Sequence, residues 1–189
     1  MVKFDEATHT YTVQGVKFPS VTQVIADMGL YGDTSYFTEH SRQRGKFVHR
    51  IIEWYLSGEL DESSIDPTIR PYFDAWRKFE ADSWYVSDVC EKVMVSDLYR
   101  FAGTVDHIGH LNGHYCLIDV KTGVASSATA LQTAGYEILV KHPGIKRFNL
   151  QLTEDGKYKL TEFKERTDRD IFRAALSLYY WKQNNLNGR

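Results

Sequence analysis

Two aspartates, a lysine and an Asn-Gly pair share one short segment, GTVDHIGHLNGHYCLIDVKTG, residues 103–123. Asn-Gly between two β-branched, alternating runs predicts a two-residue hairpin, because a type I′ turn requires positive φ at both central residues. With Asn112 and Gly113 as the loop, Leu111 faces His114, and counting outward sets Asp106 opposite Asp119. The pair flanking such a loop is hydrogen-bonded and the types alternate. Asp106 and Asp119 are therefore predicted as a non-hydrogen-bonded pair with Cα atoms about 4.5 Å apart. Lys121 lies two residues beyond Asp119 and emerges on the same face. Two carboxylates directly opposite repel each other, and a divalent cation removes the objection, since hard Mg²⁺ takes oxygen ligands and usually one or two carboxylates. The bland alternatives are a register one residue out, or two solvated carboxylates. With Asp97-Leu98 as a two-residue loop before this hairpin, Glu91 faces Thr104 on the same side as Asp106 and becomes a third candidate carboxylate.

The surrounding elements follow from period and punctuation. Residues 2–6 and 9–18 alternate and read as short strands turning at Gln14-Gly15. PSVTQVIADMG is a short helix opened by Pro19 and Ser20 and closed by Gly29. Residues 31–44 are polar and aromatic, a loop or short helix. In GKFVHRIIEWYLSG, residues 45–58, Phe47, Ile51 and Trp54/Tyr55 recur at helical spacing with Val48, Ile52 and Leu56 beside them, so this helix is expected to be largely buried. Residues 66–83 read as a second helix broken near Pro71, 85–97 as a strand, and 101–121 as two more. Ser126 or Ser127 is the expected cap of the next helix, which stops before Pro143-Gly144. Residues 145–163 form a hairpin turning at Asp155-Gly156, and Thr167 caps a last helix. Helices, three strands, a helix, a hairpin and a helix predict an α+β fold with a mixed or antiparallel central sheet flanked by helices.

The totals narrow the classes. The chain has 189 residues, 42% hydrophobic and 25% charged, an ordinary globular balance that points to one domain. No apolar run is long enough to span a bilayer, and the start lacks a secretory pattern, so no membrane partner is expected. Two cysteines, Cys90 and Cys116, cannot supply a four-cysteine zinc or iron–sulfur site and fit a reducing cytoplasm. With a net charge of −2, any nucleic-acid contact must use local basic groups. The candidates are Arg42, Arg44, Lys46 and Arg50, then Lys141, Lys146 and Arg147, then Arg166, Arg169 and Arg173; each group also reads as an ordinary solvated face. Tyr31, Tyr36 and Phe37 precede the first cluster and are of the type on which single-stranded bases stack. Core packing is expected of Trp54, Trp76 and the LYYW run at 178–181.

Gly103-Thr-Val-Asp106, Ile118-Asp119-Val-Lys121-Thr122 and Gln132-Thr-Ala-Gly-Tyr136, preceded by Gly45-Lys-Phe-Val-His49, resemble the motifs of the PD-(D/E)XK nuclease superfamily. The order is that of its RecB-like exonuclease branch: a glycine-led histidine, a GxxD strand, a DxK strand and a QxxxY helix. FPSVTQVI is similar to the opening of small phage-type members. The motifs span residues 45–136; the last fifty or so residues carry none.

The resemblance implies a restriction-endonuclease-like core with a central mixed sheet, in one domain over 1–189. An N-terminal hairpin and helical region, about 1–85, would pack on a catalytic core, about 86–189. It implies a Mg²⁺- or Mn²⁺-dependent deoxyribonuclease with no iron–sulfur cluster. Asp106 and Asp119 would hold the metal, His49 would add a nitrogen ligand, and Glu91 could join them. Imidazole suits Mn²⁺ better than Mg²⁺, so good activity with manganese is expected. Lys121 would orient the attacking water or stabilise developing charge. Gln132 and Tyr136, on one helix face, would position a phosphate or the Lys121 amine. Arg42, Arg44, Lys46, Arg50 and Tyr36 would touch DNA. Without the resemblance, His49 is a satisfied histidine on a buried helix, Lys121 a salt bridge, and Gln132/Tyr136 an amphipathic face. The expected partners are single-stranded or end-containing DNA and replication or recombination proteins, in the cytoplasm, the host's for a phage-encoded chain. A structure-specific or nicking endonuclease, an inactive DNA-binding protein and a small-molecule hydrolase are the alternatives.

Overall fold

The computed structural model describes residues 2–6, 8–32 and 38–186. Three short antiparallel strands come first, β1 (Val2–Asp5), β2 (Thr10–Val13) and β3 (Val16–Phe18). Gln14 and Gly15 join β2 to β3, both with positive φ as a type I′ turn requires. Helix α1 (Val21–Asp27) follows, closed at its start by a capping box in which Ser20 Oγ accepts from Gln23 N–H while Gln23 Oε1 accepts from Ser20 N–H. Helices α2 (Glu39–Ser57) and α3 (Arg70–Ser83) precede the main sheet.

That sheet contains β4 (Val86–Ser96), β5 (Phe101–Leu111), β6 (His114–Lys121), β7 (Lys146–Leu152) and β8 (Tyr158–Phe163) in that spatial order. Only β6 and β7 run parallel, because α4 (Ala128–Val140) crosses between them, as a parallel pair requires. Helix α5 (Thr167–Asn185) ends the described chain. The fold is the α+β arrangement expected from the order of elements.

Strand alternation divides the core. Ile118, Val120, Leu150 and Leu152 meet Val48, Ile52, Phe73, Trp76 and Phe79 of α2 and α3 on one face. Leu117, Val105 and Ile108 meet Val24 and Ile25 of α1, Leu139 of α4 and Phe172 of α5 on the other. The small sheet lays Tyr11, Val13 and Phe18 over Ala102, Val93 and Val95.

Several local expectations change. Helix α2 starts at Glu39 rather than Gly45, under a Thr38 cap whose hydroxyl accepts from Ser41 N–H at 3.1 Å. Pro71 sits in the first turn of α3 instead of breaking it, where its missing N–H costs no helical bond. Ser127 is at the N-cap of α4 but gives no side-chain bond. The N-cap of α5 is Arg166, and Thr167 is its first residue.

Arg147 is not part of a solvated basic face. It is 4% exposed, with its guanidinium donating to the carbonyls of Ala130 and Glu165 and to Asp168, while Glu137 lies 3.3 Å away. It ties α4 and the start of α5 to β7. Removing one side of a buried charge network leaves the other unpaired, so Arg147→Ala is expected to cost about 3–5 kcal/mol, read as the shift of a denaturant midpoint.

Candidate active site

The β5–β6 ladder has the predicted register. It runs outward from Leu111–His114 and ends at His107–Ile118. Asp106 and Asp119 are the next step, and there the strands part: β5 stays with β4 while β6 stays with β7. The two aspartates are thus aligned by count, as expected, but not as a pair within the ladder. Side chains fill the gap. Asp106 Oδ2 accepts from Val120 N–H at 2.8 Å, and His49 Nε2 donates to Val120 C=O at 3.2 Å. A main-chain donor and acceptor that a neighbouring strand would satisfy are satisfied by two candidate site residues.

The Glu91 register differs from the expected one. The β4–β5 turn spans four residues, 97–100, not two. Val93 therefore faces Thr104, and the count sets Glu91 opposite Asp106. That step is also missing from the ladder, between Lys92–Val105 and Cys90–His107, and Glu91 has φ 48°. A left-handed conformation costs a side-chain-bearing residue roughly 1–2 kcal/mol. Here it accompanies a carboxylate whose Oε1 lies 2.7 Å from His49 Nδ1.

His49, Glu91 and Asp106 offer ligand atoms within 4.8 Å of one another. His49 reaches the gap from α2, whose neighbouring Val48 and Ile52 are buried against the sheet. Its Nε2 bond to a carbonyl, which can only accept, leaves Nδ1 facing Glu91 at 2.7 Å and Asp106 at 3.8 Å. Burial alone would lower its pKa, but the Asp106 and Glu91 carboxylates outweigh that and raise it to about 9. Burial and the Glu91 charge hold the Asp106 carboxyl above its ordinary value against the pull of His49. Two carboxylates and an imidazole converging at a point of mutual repulsion suit a divalent cation chemically.

Asp119 lies outside that trio. It is fully buried, with Oδ2 2.7 Å from Lys121 Nζ and no hydrogen-bond partner at Oδ1. Burial pushes its pKa up to about 6 despite the ammonium beside it. Lys121 is raised in turn by Asp119 and Asp106, which outweigh its own burial. A buried carboxylate oxygen without a partner is rare in a purely structural role.

On α4, Gln132 Nε2 donates to Tyr136 OH at 3.0 Å, and both side chains are buried. Burial and the charges of Asp106 and Asp119 push the Tyr136 hydroxyl well up. The GxxD glycine has its cause here: a Cβ on Gly103 would lie 2.9 Å from the Tyr136 ring and 3.3 Å from Leu139. Gly103→Ala is expected to displace Tyr136 and cost about 1–3 kcal/mol, with a parallel loss of activity, in a thermal melt and a cleavage assay on the same preparation.

Of the basic residues, Arg44 does most for the site. Its Nη2 donates to Thr122 C=O at 3.1 Å, Nε donates to Thr122 Oγ1 at 3.3 Å, and its guanidinium lies over Tyr72. Arg42 pairs with Glu39, Arg50 with Glu53 and Glu6, and Lys46 is exposed. Tyr36 and Phe37 fall outside the described residues. Tyr31 interacts electrostatically with Lys121 and Asp119, a proximity that no motif signalled.

Among solved structures, the chain is similar to a protein provisionally assigned as an exonuclease, from Eubacterium rectale. The TM-score is 0.50 at 12% identity, covering 89% of this chain and 75% of that one. That likeness and the topology agree on the architecture. The chain shares its fold with that protein. The alkaline exonuclease LHK-Exo of Laribacter hongkongensis is matched at TM-score 0.42 and 14% identity, covering 90% of this chain and 94% of that one. Its complex with dAMP is matched at 0.43 and 15%, covering 91% and 95%. No family model and no curated protein matches the sequence. No helix among the described residues is long and apolar enough to cross a membrane.

Proposed function

We propose that this protein is a divalent-metal-dependent deoxyribonuclease that hydrolyses phosphodiester bonds from single-stranded or free DNA ends. The observation that carries the reading is the convergence of His49, Glu91 and Asp106 at the parting of β5 and β6, with the Asp119–Lys121 pair on the adjoining strand. The provisional assignment of the Eubacterium rectale protein as an exonuclease supports it.

His49, Glu91 and Asp106 would hold Mg²⁺ or Mn²⁺. A metal bound there supplies charge neutralisation at the scissile phosphate and makes a bound water more acidic. The remaining roles belong to the side chains. Lys121 is raised in pKa and stays an ammonium, a form that can orient the attacking water or stabilise developing negative charge but cannot take a proton from water. Asp119 holds that ammonium in place. Gln132, by donating to Tyr136 OH, turns the phenol so that its own hydrogen points onward, where it would position a phosphate oxygen. The Val120 bonds fix Asp106 and His49 before substrate arrives, which is the preorganisation that such catalysis requires.

The test uses end-labelled linear DNA and covalently closed circular DNA, with Mg²⁺ or Mn²⁺, on wild type and Asp119→Ala. Degradation of linear DNA alone, lost in the variant, is the expected result. Cleavage of the circle would instead make it an endonuclease of the same fold, and binding without cleavage would remove the enzyme reading.

A further inference from the structure

We propose that the outer face of α2 is the path of a single DNA strand, with bases stacking on Phe47 and Trp54 and phosphates meeting Arg44 and Arg50. This rests on the nuclease reading above. Helix α2 has two distinct faces. Val48 and Ile52 are buried and His49 points into the site, whereas Arg44, Phe47, Arg50 and Trp54 line a groove of about 560 Å³ between α2 and the segment around Ile65 and Tyr72. Phe47 is 58% exposed and Trp54 44%, although their helical spacing had suggested a buried face.

One exposed aromatic calls for no explanation. Two on the same helical stripe, seven residues or about 10 Å apart along the axis and interleaved with two guanidiniums, have the composition of a single-strand platform. Aromatic faces take any base, and the basic groups track the backbone. The acidic residues of the lining, Asp66 and Glu154, come from other elements, so the basic side of the groove is α2.

One side chain links the groove to the segment that carries the candidate active site. Arg44 lines it while donating to Thr122, the residue directly after Lys121. A guanidinium carries five N–H donors, so Arg44 can hold Thr122 and still meet a phosphate. Arg50 is held by exposed ion pairs to Glu53 and Glu6, which are weak and exchangeable. A duplex keeps its bases stacked inside and cannot use the rings. The groove therefore selects single strands.

The experiment measures binding of a fluorescent single-stranded oligonucleotide, with Ca²⁺ in place of Mg²⁺, to wild type, Phe47→Ala, Trp54→Ala, the double variant and Trp54→Phe. Hydrolysis of bis(p-nitrophenyl) phosphate with Mn²⁺ is followed in parallel, since that substrate is too small to span the groove. Each alanine should weaken single-strand binding about tenfold and the pair about a hundredfold, with Trp54→Phe close to wild type and small-substrate hydrolysis unchanged. Single-strand affinity in the double variant within about twofold of wild type overturns the proposal, since stacking on two rings is worth far more; an apolar protein segment would then be the better occupant. If the alanines lose single-strand affinity but wild type never hydrolyses the small substrate, the strand path stands and the nuclease reading falls.

Discussion

Asp106→Asn is expected to abolish DNA cleavage without weakening the fold. The asparagine carbonyl oxygen can still accept from Val120 N–H, so the bond that bridges the parted strands is kept. What disappears is a negative charge beside Glu91 and His49. Without metal, that charge is buried close to a like charge, and its loss relieves repulsion and desolvation, so the melting temperature should hold or rise. With metal and substrate, its loss removes a ligand. Stabilisation by a held metal is worth several kcal/mol at the transition state, so the single-turnover rate on labelled single-stranded DNA should fall about 10³-fold or more. A variant that is inactive because it is unfolded, or folded with wild-type activity, would contradict this account of Asp106.

The second large effect is on pH. In the metal-free protein His49 sits between two carboxylates with its pKa raised to about 9, so at neutral pH its Nδ1 carries a proton donated to Glu91. A metal must displace that proton, because imidazole binds only in its neutral form. Apparent Mn²⁺ affinity should therefore improve roughly tenfold per pH unit from neutral up to about 9 and then level off. At limiting metal, activity should follow the same rise, and saturating metal should flatten it. The linked stability effect has the opposite sign. A raised folded-state pKa stabilises the metal-free fold fully below the ordinary histidine pKa of 6.5, and that contribution is lost as pH rises through about 9. Its full size is of the order of 3 kcal/mol. His49→Asn should remove both dependences, as calorimetric Mn²⁺ titrations across pH would show.

The hairpin was the most legible part of the site, because Asn112-Gly113 fixes a register by turn chemistry alone and that register extends to His107–Ile118. Spacing could not show that the ladder stops one step short of the aspartates. That break arises from Asp106 and His49 competing for the Val120 main chain, a tertiary event. Glu91 was placed on the right side for the wrong reason: the turn after its strand has two more residues than expected, and nothing in Asp97-Leu98-Tyr99-Arg100 marks their number. The early start of α2 was hidden because Glu39–Arg44 carry no apolar period; only the Thr38 cap and the Glu39–Arg42 and Glu39–Gln43 contacts declare it. Trp54 and Trp181 read as core residues yet are 44% and 56% exposed, since periodicity reports a stripe but not what lies against it. Gly103 is the reverse case: the motif flagged it, and only the Tyr136 ring explains it.

The central claim is that the gap between β5 and β6 is a metal centre. The most direct measurement is a crystal grown with Mn²⁺ above pH 8 and recorded at the manganese absorption edge. One strong anomalous peak is expected among His49 Nδ1, the Glu91 carboxylate and the Asp106 carboxylate. A gap without manganese, His49 Nδ1 still hydrogen-bonded to Glu91 and the metal held elsewhere or nowhere, would contradict it.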